Sequence, residues 1–304
     1  MFRGSQRYSD IKGGMDRGPK KHVSHVVKHS GDVMKVASKD VIITHPSNTI
    51  KNAASLMRDN DVRRLPVLDA GTRRLSGLVT AIDLLDFLGG GEKYNIIEKD
   101  YGGNFLAAIN SPISKIMRQS QYLDSMASVE DAVSIMLDKH SSCIPIVSDS
   151  KTMGVVGLVT ERDVLPHTDD KIGVAVGRVM KPKPITATLG MMLSDVSKIM
   201  VRNQLRRLPV IRQEEVVGLV TVFDVLGFLE GGEYKGVGAE ENLSTRVDEI
   251  MEENIISVAP EDDLDSVVGL IHDTGYGGFP VVKDGRLEGV ITTTDVLRWV
   301  YRQN

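Results

Sequence analysis

The sequence predicts an α/β repeat protein built from four β-α-β-β-α units arranged as two pairs. Three observations carry that prediction. A phrase of Gly, two apolar residues, Thr and an Asp three places after the Thr runs from Gly77 to Asp83, and it returns at Gly157 to Asp163, Gly218 to Asp224 and Gly289 to Asp295. Upstream of each copy lies an apolar stripe at helical spacing, then a short apolar run with a central Pro. The run Arg-Arg-Leu-Pro-Val occurs in the first and third copies, at Arg63 and at Arg206, and in neither of the others. Self-similarity at this period marks repeats that complete one another's cores, and the alternation marks a duplicated two-repeat unit.

In the first unit, Val41, Ile42 and Ile43 read as a short strand and His45-Pro46-Ser47 as a turn. Ile50, Ala53, Ala54 and Met57 fall at i, i+3, i+4 and i+7, the core stripe of an amphipathic helix. Arg63 to Leu68 enters a middle strand, Asp69 to Thr72 turns, and Leu75 to Val79 makes a third strand. A closing helix carries Leu84, Leu85, Phe87 and Leu88 and stops at Gly89-Gly90-Gly91. The stripes repeat at Val129, Ala132, Val133 and Met136, at Leu193, Val196, Ile199 and Met200, and at Leu264, Val267, Val268 and Ile271. The units span 33–90, 111–168, 174–232 and 244–304, with the halves meeting near Thr168 to Gly173. One repeat leaves apolar faces uncovered, so pairing within each half is the expected way to complete a core.

Residues 1–32 are polar and carry seven Lys or Arg against three Asp, an excess of +4. They read as a flexible solvated tail or as an arm for nucleic acid or an acidic partner. His22, His25 and His29 lack the acid or Cys neighbours of a metal site. The 304 residues carry a net charge of -4, too small to argue for a polyanion partner of the whole chain. A single Cys, Cys143, excludes an internal disulfide and fits a reducing cytoplasm, and no apolar run reaches membrane-spanning length. A cytoplasmic, non-membrane protein is expected. No Gly-x-Ser-x-Gly, His-Glu-x-x-His, Walker A or paired-Cys motif is present, so no catalytic set can be assembled and an enzyme is not expected.

The Thr-to-Asp turn admits two readings. As a capping box, Thr and Asp satisfy orphan amides at the helix start. As a site, the helix tip faces an anion while Thr and Asp meet a polyhydroxylated ligand; a carboxylate suits the two hydroxyls of a ribose rather than a phosphate. Guanidinium forks match phosphate oxygens, which gives Arg63, Arg64, Arg206 and Arg207 before the middle strands, and Arg162 inside the second turn, a shared purpose. The even repeats carry Ser142-Cys143 and Gly277-Gly278 instead, so their phosphate affinity depends on charge from a neighbour.

With its Pro-containing middle strand and Gly-Thr-Asp ending, the unit resembles the cystathionine beta-synthase (CBS) domain. Four in tandem resemble the gamma subunit of AMP-activated protein kinase and the stand-alone four-repeat proteins of archaea. The resemblance implies two Bateman modules forming a disc, a monomeric disc or a homodimer, with AMP, ADP or ATP in clefts facing its centre; S-adenosylmethionine-type compounds are the alternative ligand. It implies ribose binding by Asp83, Asp163, Asp224 and Asp295, and ribose or phosphate contacts from Thr80, Thr160, Thr221 and Thr292. Phosphate would meet Arg63, Arg64, Arg162, Arg206 and Arg207. Adenine would sit near the first strands, at Ile43 with Thr44 beside it, Tyr122, Thr186 and Ser257; Thr186 and Ser257 keep the family's small hydroxyl, whereas Ile43 and Tyr122 depart from it. Unequal occupancy is expected, since the fourth unit lacks its own Arg. The implied role is a non-catalytic sensor, with no catalytic cofactor and no metal, that passes occupancy to an unidentified partner protein. A ligand-switched nucleic-acid regulator using the basic tail is the alternative.

Overall fold

The computed structural model describes residues 6–7, 31–166, 171–230 and 244–302. All four repeats form around the predicted stripes. Their core helices run Ile50–Asp59, Val129–Asp138, Leu193–Asn203 and Leu264–Thr274. Thr49 accepts from the Asn52 amide, Ser128 from the Asp131 amide and Asp263 from the Asp265 amide, so three of these helices start on side-chain caps. The stripe residues are buried, except that Ile199 is half-buried.

Each middle strand pairs antiparallel with its third strand: Arg64–Leu68 with Leu75–Thr80, Cys143–Val147 with Val155–Thr160, Arg207–Arg212 with Glu215–Thr221, and Gly278–Lys283 with Arg286–Thr292. The strand prolines cost no ladder bond. Thr44 bridges the Pro66 carbonyl and the Leu68 amide, and Val258 does the same with Pro280 and Val282, so the missing proline N–H falls where no partner is needed. The predicted first strand at Val41 to Ile43 is reduced to that single bridge at Thr44. The closing helices Ala81–Leu85, Val222–Glu230 and Thr293–Arg302 follow three of the Thr residues. After Thr160 the chain makes only turns before Pro166, because a proline disfavours helix at the residue before it.

The route by which a core is completed differs from the expectation. One core joins repeats one and three, with Ile50, Leu84 and Phe87 packed among Val196, Leu208 and Val225. The other joins repeats two and four, with Val133 and Ile146 among Val267, Phe279 and Leu297. The apolar helix faces therefore look across the halves, and within a half the repeats meet through backbone. The segment leading into each repeat crosses to its half-mate and hydrogen-bonds the third strand there. Leu78 and Arg118 exchange both amide bonds at 2.9 and 3.0 Å, as do Leu158 with Ser38 and Leu219 with Glu252 at 2.9 Å. Lys181–Pro182 pairs likewise with Gly289 and Val290. Contacts one–two, two–four, four–three and three–one close a ring of four repeats in two modules.

This crossing explains the glycine of the repeated phrase. A Cβ on Gly77 would lie 2.6 Å from the Arg118 carbonyl oxygen, on Gly218 2.4 Å from the Met251 sulfur, and on Gly289 2.8 Å from the Lys181 carbonyl oxygen. Of the tail, Gln6–Arg7 pairs in parallel with Ile256–Ser257, and Asp32 accepts from the Val129 amide at 2.7 Å; residues 8–30, with the three histidines, lie outside the described residues. No described helix is long and apolar enough to cross a membrane. Gly77→Ala is expected to lower unfolding stability by about 1–3 kcal/mol through overpacking against backbone, read as a fall in denaturation midpoint.

Candidate functional site

All four Thr-to-Asp turns adopt one geometry. In each, one carboxylate oxygen accepts from both the amide and the hydroxyl of the Thr: 2.8 and 2.6 Å for Asp83 and Thr80, 2.8 and 2.8 Å for Asp163 and Thr160, 2.6 and 2.8 Å for Asp224 and Thr221, and 3.0 and 2.5 Å for Asp295 and Thr292. The capping reading and the site reading are thus compatible, since capping consumes Oδ2 and leaves Oδ1. The four Oδ1 atoms differ. That of Asp83 accepts from the Lys93 ammonium, and that of Asp295 lies 3.4 Å from Lys181 Nζ and 3.9 Å from Arg298. Those of Asp163 and Asp224 have no hydrogen-bond partner among the described residues.

The lead-in crossing sets the charge beside three of the aspartates. At the residue bonded to the third strand stand Arg118 for Asp83, Ser38 for Asp163, Glu252 for Asp224 and Lys181 for Asp295. Arg118 reaches Asp83 Oδ2 at 3.6 Å. Burial lifts the Asp224 carboxyl above its ordinary value against the hydrogen bonds from Thr221, and Glu252 adds to the rise. None of these lead-in residues was singled out from the sequence; the repeated Met117, Met180 and Met251 just before three of them was the available signal.

Four of the five expected phosphate ligands, Arg63, Arg64, Arg162 and Arg206, converge where all four repeats meet, and Arg207 lines neither of the two clefts there. A cleft of about 580 Å³ is lined by Thr80, Arg63, Arg64, Arg118, His140, Arg206, Lys181 and Arg298, and a neighbouring one of about 270 Å³ by Thr160, Arg162, Tyr276 and Gly277 with Arg63, Arg64 and Arg206 again. Arg64 donates to the Ser142 hydroxyl, and Arg207 donates to the Gly278 carbonyl. Each odd repeat therefore sends a guanidinium to the strand start of its even half-mate, where that repeat has no Arg of its own. Arg63 stacks over the Phe223 ring at 5.2 Å, tying repeat one to repeat three. Buried Glu161 accepts from the Thr294 hydroxyl at 2.7 Å, tying repeat two to repeat four.

The cluster is under-neutralised. Burial pushes Arg206 and Arg207 down to about 9 each, with repulsion from Arg64 acting on the first and from Arg63 on the second; burial also lowers Arg63. Glu161 offsets part of this at Arg206. Neither Thr221, Thr292 nor the four aspartates line these two clefts, nor do the expected adenine-side residues. The strand register makes Ile43, Tyr122, Thr186 and Ser257 equivalent, each just before the residue paired with the middle strand. Thr44 lies one place further, is buried and accepts from Asn48 Nδ2 at 3.0 Å, so its hydroxyl does not replace the one missing at Ile43. Tyr122 is exposed, Thr186 half-buried and Ser257 buried. No group of three metal-ligating side chains occurs among the described residues.

Two outcomes follow from these charges. Arg206→Met is expected to raise the melting temperature of the ligand-free protein by about 2–4 °C, because an apolar side chain replaces a buried, under-neutralised cation, and to diminish the further rise produced by added phosphate. Folded Asp224 holds its proton more tightly than the unfolded chain does, so its contribution to stability falls as pH rises from the ordinary carboxyl value through the raised one. Glu252→Gln should flatten that part of a melting-temperature profile against pH.

A family model for the CBS domain matches residues 31–90, 113–168, 176–231 and 247–302. Protein MJ1225 of Methanocaldococcus jannaschii is 36% identical over 277 residues, covering 88% of this chain and 98% of that protein. Its crystal structure, put forward as that of an archaeal homolog of g-AMPK, matches with a TM-score of 0.80 at 34% identity over 88% of this chain and 99% of that one. The 5'-AMP-activated protein kinase subunit gamma of Saccharomyces cerevisiae is 23% identical over 298 residues, 90% of each chain. A Pyrococcus horikoshii structure shares the fold, with a TM-score of 0.56 at 17% identity.

Proposed function

The chain belongs to the CBS-domain family, which its four repeats match in full, and on that premise we propose that it is a non-catalytic sensor of AMP, ADP or ATP that passes its occupancy to a partner protein. The observation that carries this reading is the cluster of Arg63, Arg64, Arg162 and Arg206 at the junction of the four repeats, set among four structurally identical Thr-Asp turns. The ribose hydroxyls would donate to the spare carboxylate oxygen, and the phosphates would meet guanidinium groups that lack sufficient counter-charge. The yeast relative, named as a subunit of a 5'-AMP-activated kinase, supports both the ligand class and the regulatory role.

Transmission follows from where the charge sits. Arg63 belongs to repeat one but stacks on Phe223 of repeat three, and Arg162 faces Gly275 of repeat four. A phosphate drawn between such groups pulls on contacts between halves, and a preference for one arrangement of about 1–3 kcal/mol is enough for regulation. A second reading is favoured at one cleft only: Glu252 beside Asp224 suits a ligand of less negative charge, such as an S-adenosylmethionine-type compound.

Titration calorimetry of nucleotide-stripped protein with AMP, ADP, ATP and S-adenosylmethionine is the test. Binding of at least one adenine nucleotide is expected, and changing all four aspartates to Ala should weaken it by about 100-fold or more, the loss of paired charge-assisted hydrogen bonds at each site. Undiminished affinity in the folded quadruple variant would reduce the turns to helix caps.

A further inference from the structure

Lys93 is the neighbour of Asp83 that the proposed reading leaves without a task. Its ammonium sits on Oδ1 of Asp83, the oxygen left over from capping and the one a ribose would need. The carboxylate is thereby enclosed: Thr80 and Arg118 approach Oδ2, Lys93 covers Oδ1, and the side chain is 7% exposed. No other motif aspartate is so occupied among the described residues. The cations near Asp295 stand at 3.4 and 3.9 Å, and Asp163 and Asp224 have no partner on that oxygen among the described residues.

The placement of Lys93 is built into the local backbone. After the closing helix, residues Asp86–Gly90 widen into a π-turn, with Gly89 at a φ of 128°, a region that only glycine enters without strain. Gly91 follows, where a Cβ would stand 2.6 Å from Asp86 Oδ1. That same Asp86 oxygen accepts from the Lys93 amide at 2.8 Å, and this fixes the point from which the side chain folds back onto Asp83. The tail of the third repeat reads Glu233-Tyr234-Lys235 where the first reads Glu92-Lys93-Tyr94, so its Lys stands one place later in the chain.

We propose that Lys93 is an internal occupant of the Asp83 site, a specificity-determining residue that a ribose must displace before that site can fill. This rests on the adenine-nucleotide reading above and deepens it. Displacement has an exit route, because the Lys93 side chain is already 24% exposed whereas Asp83 is not. It has a readout as well: the next helix, Asn95–Tyr101, buries Ile97 in the core shared by repeats one and three. Filling the Asp83 site is thereby coupled to the contact between halves.

The test compares wild-type full chain, Lys93→Met and the double variant Lys93→Met/Asp83→Ala by calorimetry with AMP. In Lys93→Met the apolar stem is kept and Asp83 retains Thr80 and Arg118, so the carboxylate is not orphaned. The expected result is one additional equivalent of AMP, or one class of site tightened by about tenfold as the closed fraction is removed, with the gain absent from the double variant. Independently of any variant, acylation of the Lys93 amine, followed by mass spectrometry, should quicken by about tenfold when saturating AMP turns the amine out. Unchanged or weakened AMP binding in Lys93→Met, with the wild type still binding, would overturn the gate alone and make Lys93 a spectator or a phosphate ligand. AMP binding by neither protein would overturn the sensor reading together with the gate. Labelling that AMP leaves unchanged, in a wild type that binds AMP, would likewise overturn the gate.

Discussion

Everything in this molecule depends on the backbone exchange at the repeated glycine. Where Arg118 meets Leu78, Ser38 meets Leu158, Glu252 meets Leu219 and Lys181 meets Val290, a lead-in segment from one repeat becomes an extra strand on its half-mate. The exchange is reciprocal within each half, so neither repeat of a pair is a complete unit alone. It also leaves the helical faces free to pack across the halves, which is why the two cores join one with three and two with four. Apolar anchors travel with the crossing segments: Val33 and Val176 enter one core, Ile113 and Val247 the other. Burying a few such side chains at about 1.5–3 kcal/mol each is ample to hold the crossing once its hydrogen bonds form.

The same exchange writes the electrostatics. The backbone pairing delivers a lead-in residue beside three of the motif aspartates, whatever its charge, so the identity at that one position sets the local electrostatics without disturbing the fold. Arg118 and Lys181 make two carboxylates partners in ion pairs, while Glu252 combines with burial to raise Asp224. At the centre the arginines face one another across repeat boundaries with too few acids among them, and desolvation makes that arrangement costly in the ligand-free protein. A dianionic group bound there gains what the empty cluster lacks. Stability of the ring and affinity for an anion are therefore two views of one charge imbalance.

Much of this was legible in the sequence because it is local. The stripe Ile50, Ala53, Ala54, Met57 and its three counterparts report helix period directly, and the Thr-to-Asp spacing reports a helix start. The arginines were legible as a pair at fixed distance from Leu-Pro-Val. What the sequence hid is non-local. The glycine of the phrase carries no record of the carbonyl that approaches it, since Gly77 and Arg118 are 41 residues apart. Lys93 follows the glycines that stop the closing helix, and only the wide turn at Asp86–Gly90 reveals that the chain doubles back there. The second closing helix was expected on the strength of its phrase alone, although Pro166 stood three residues past Asp163 to stop it.

On the proposed sensor reading, four like turns with different surroundings would give graded rather than redundant sites. The lead-in charges differ from site to site: a cation by Asp83, an acid by Asp224 and a cation by Asp295. Differences of one charge at about 4 Å, in the intermediate dielectric of a partly buried cleft, amount to several kcal/mol before screening. Even a small surviving share of that separates ligand affinities by an order of magnitude, since 1.4 kcal/mol is tenfold. A ring whose clefts fill in sequence would respond to ligand over a wider range of concentration than one whose clefts fill together, and on the proposed reading the position the backbone exchange delivers would contribute to that order.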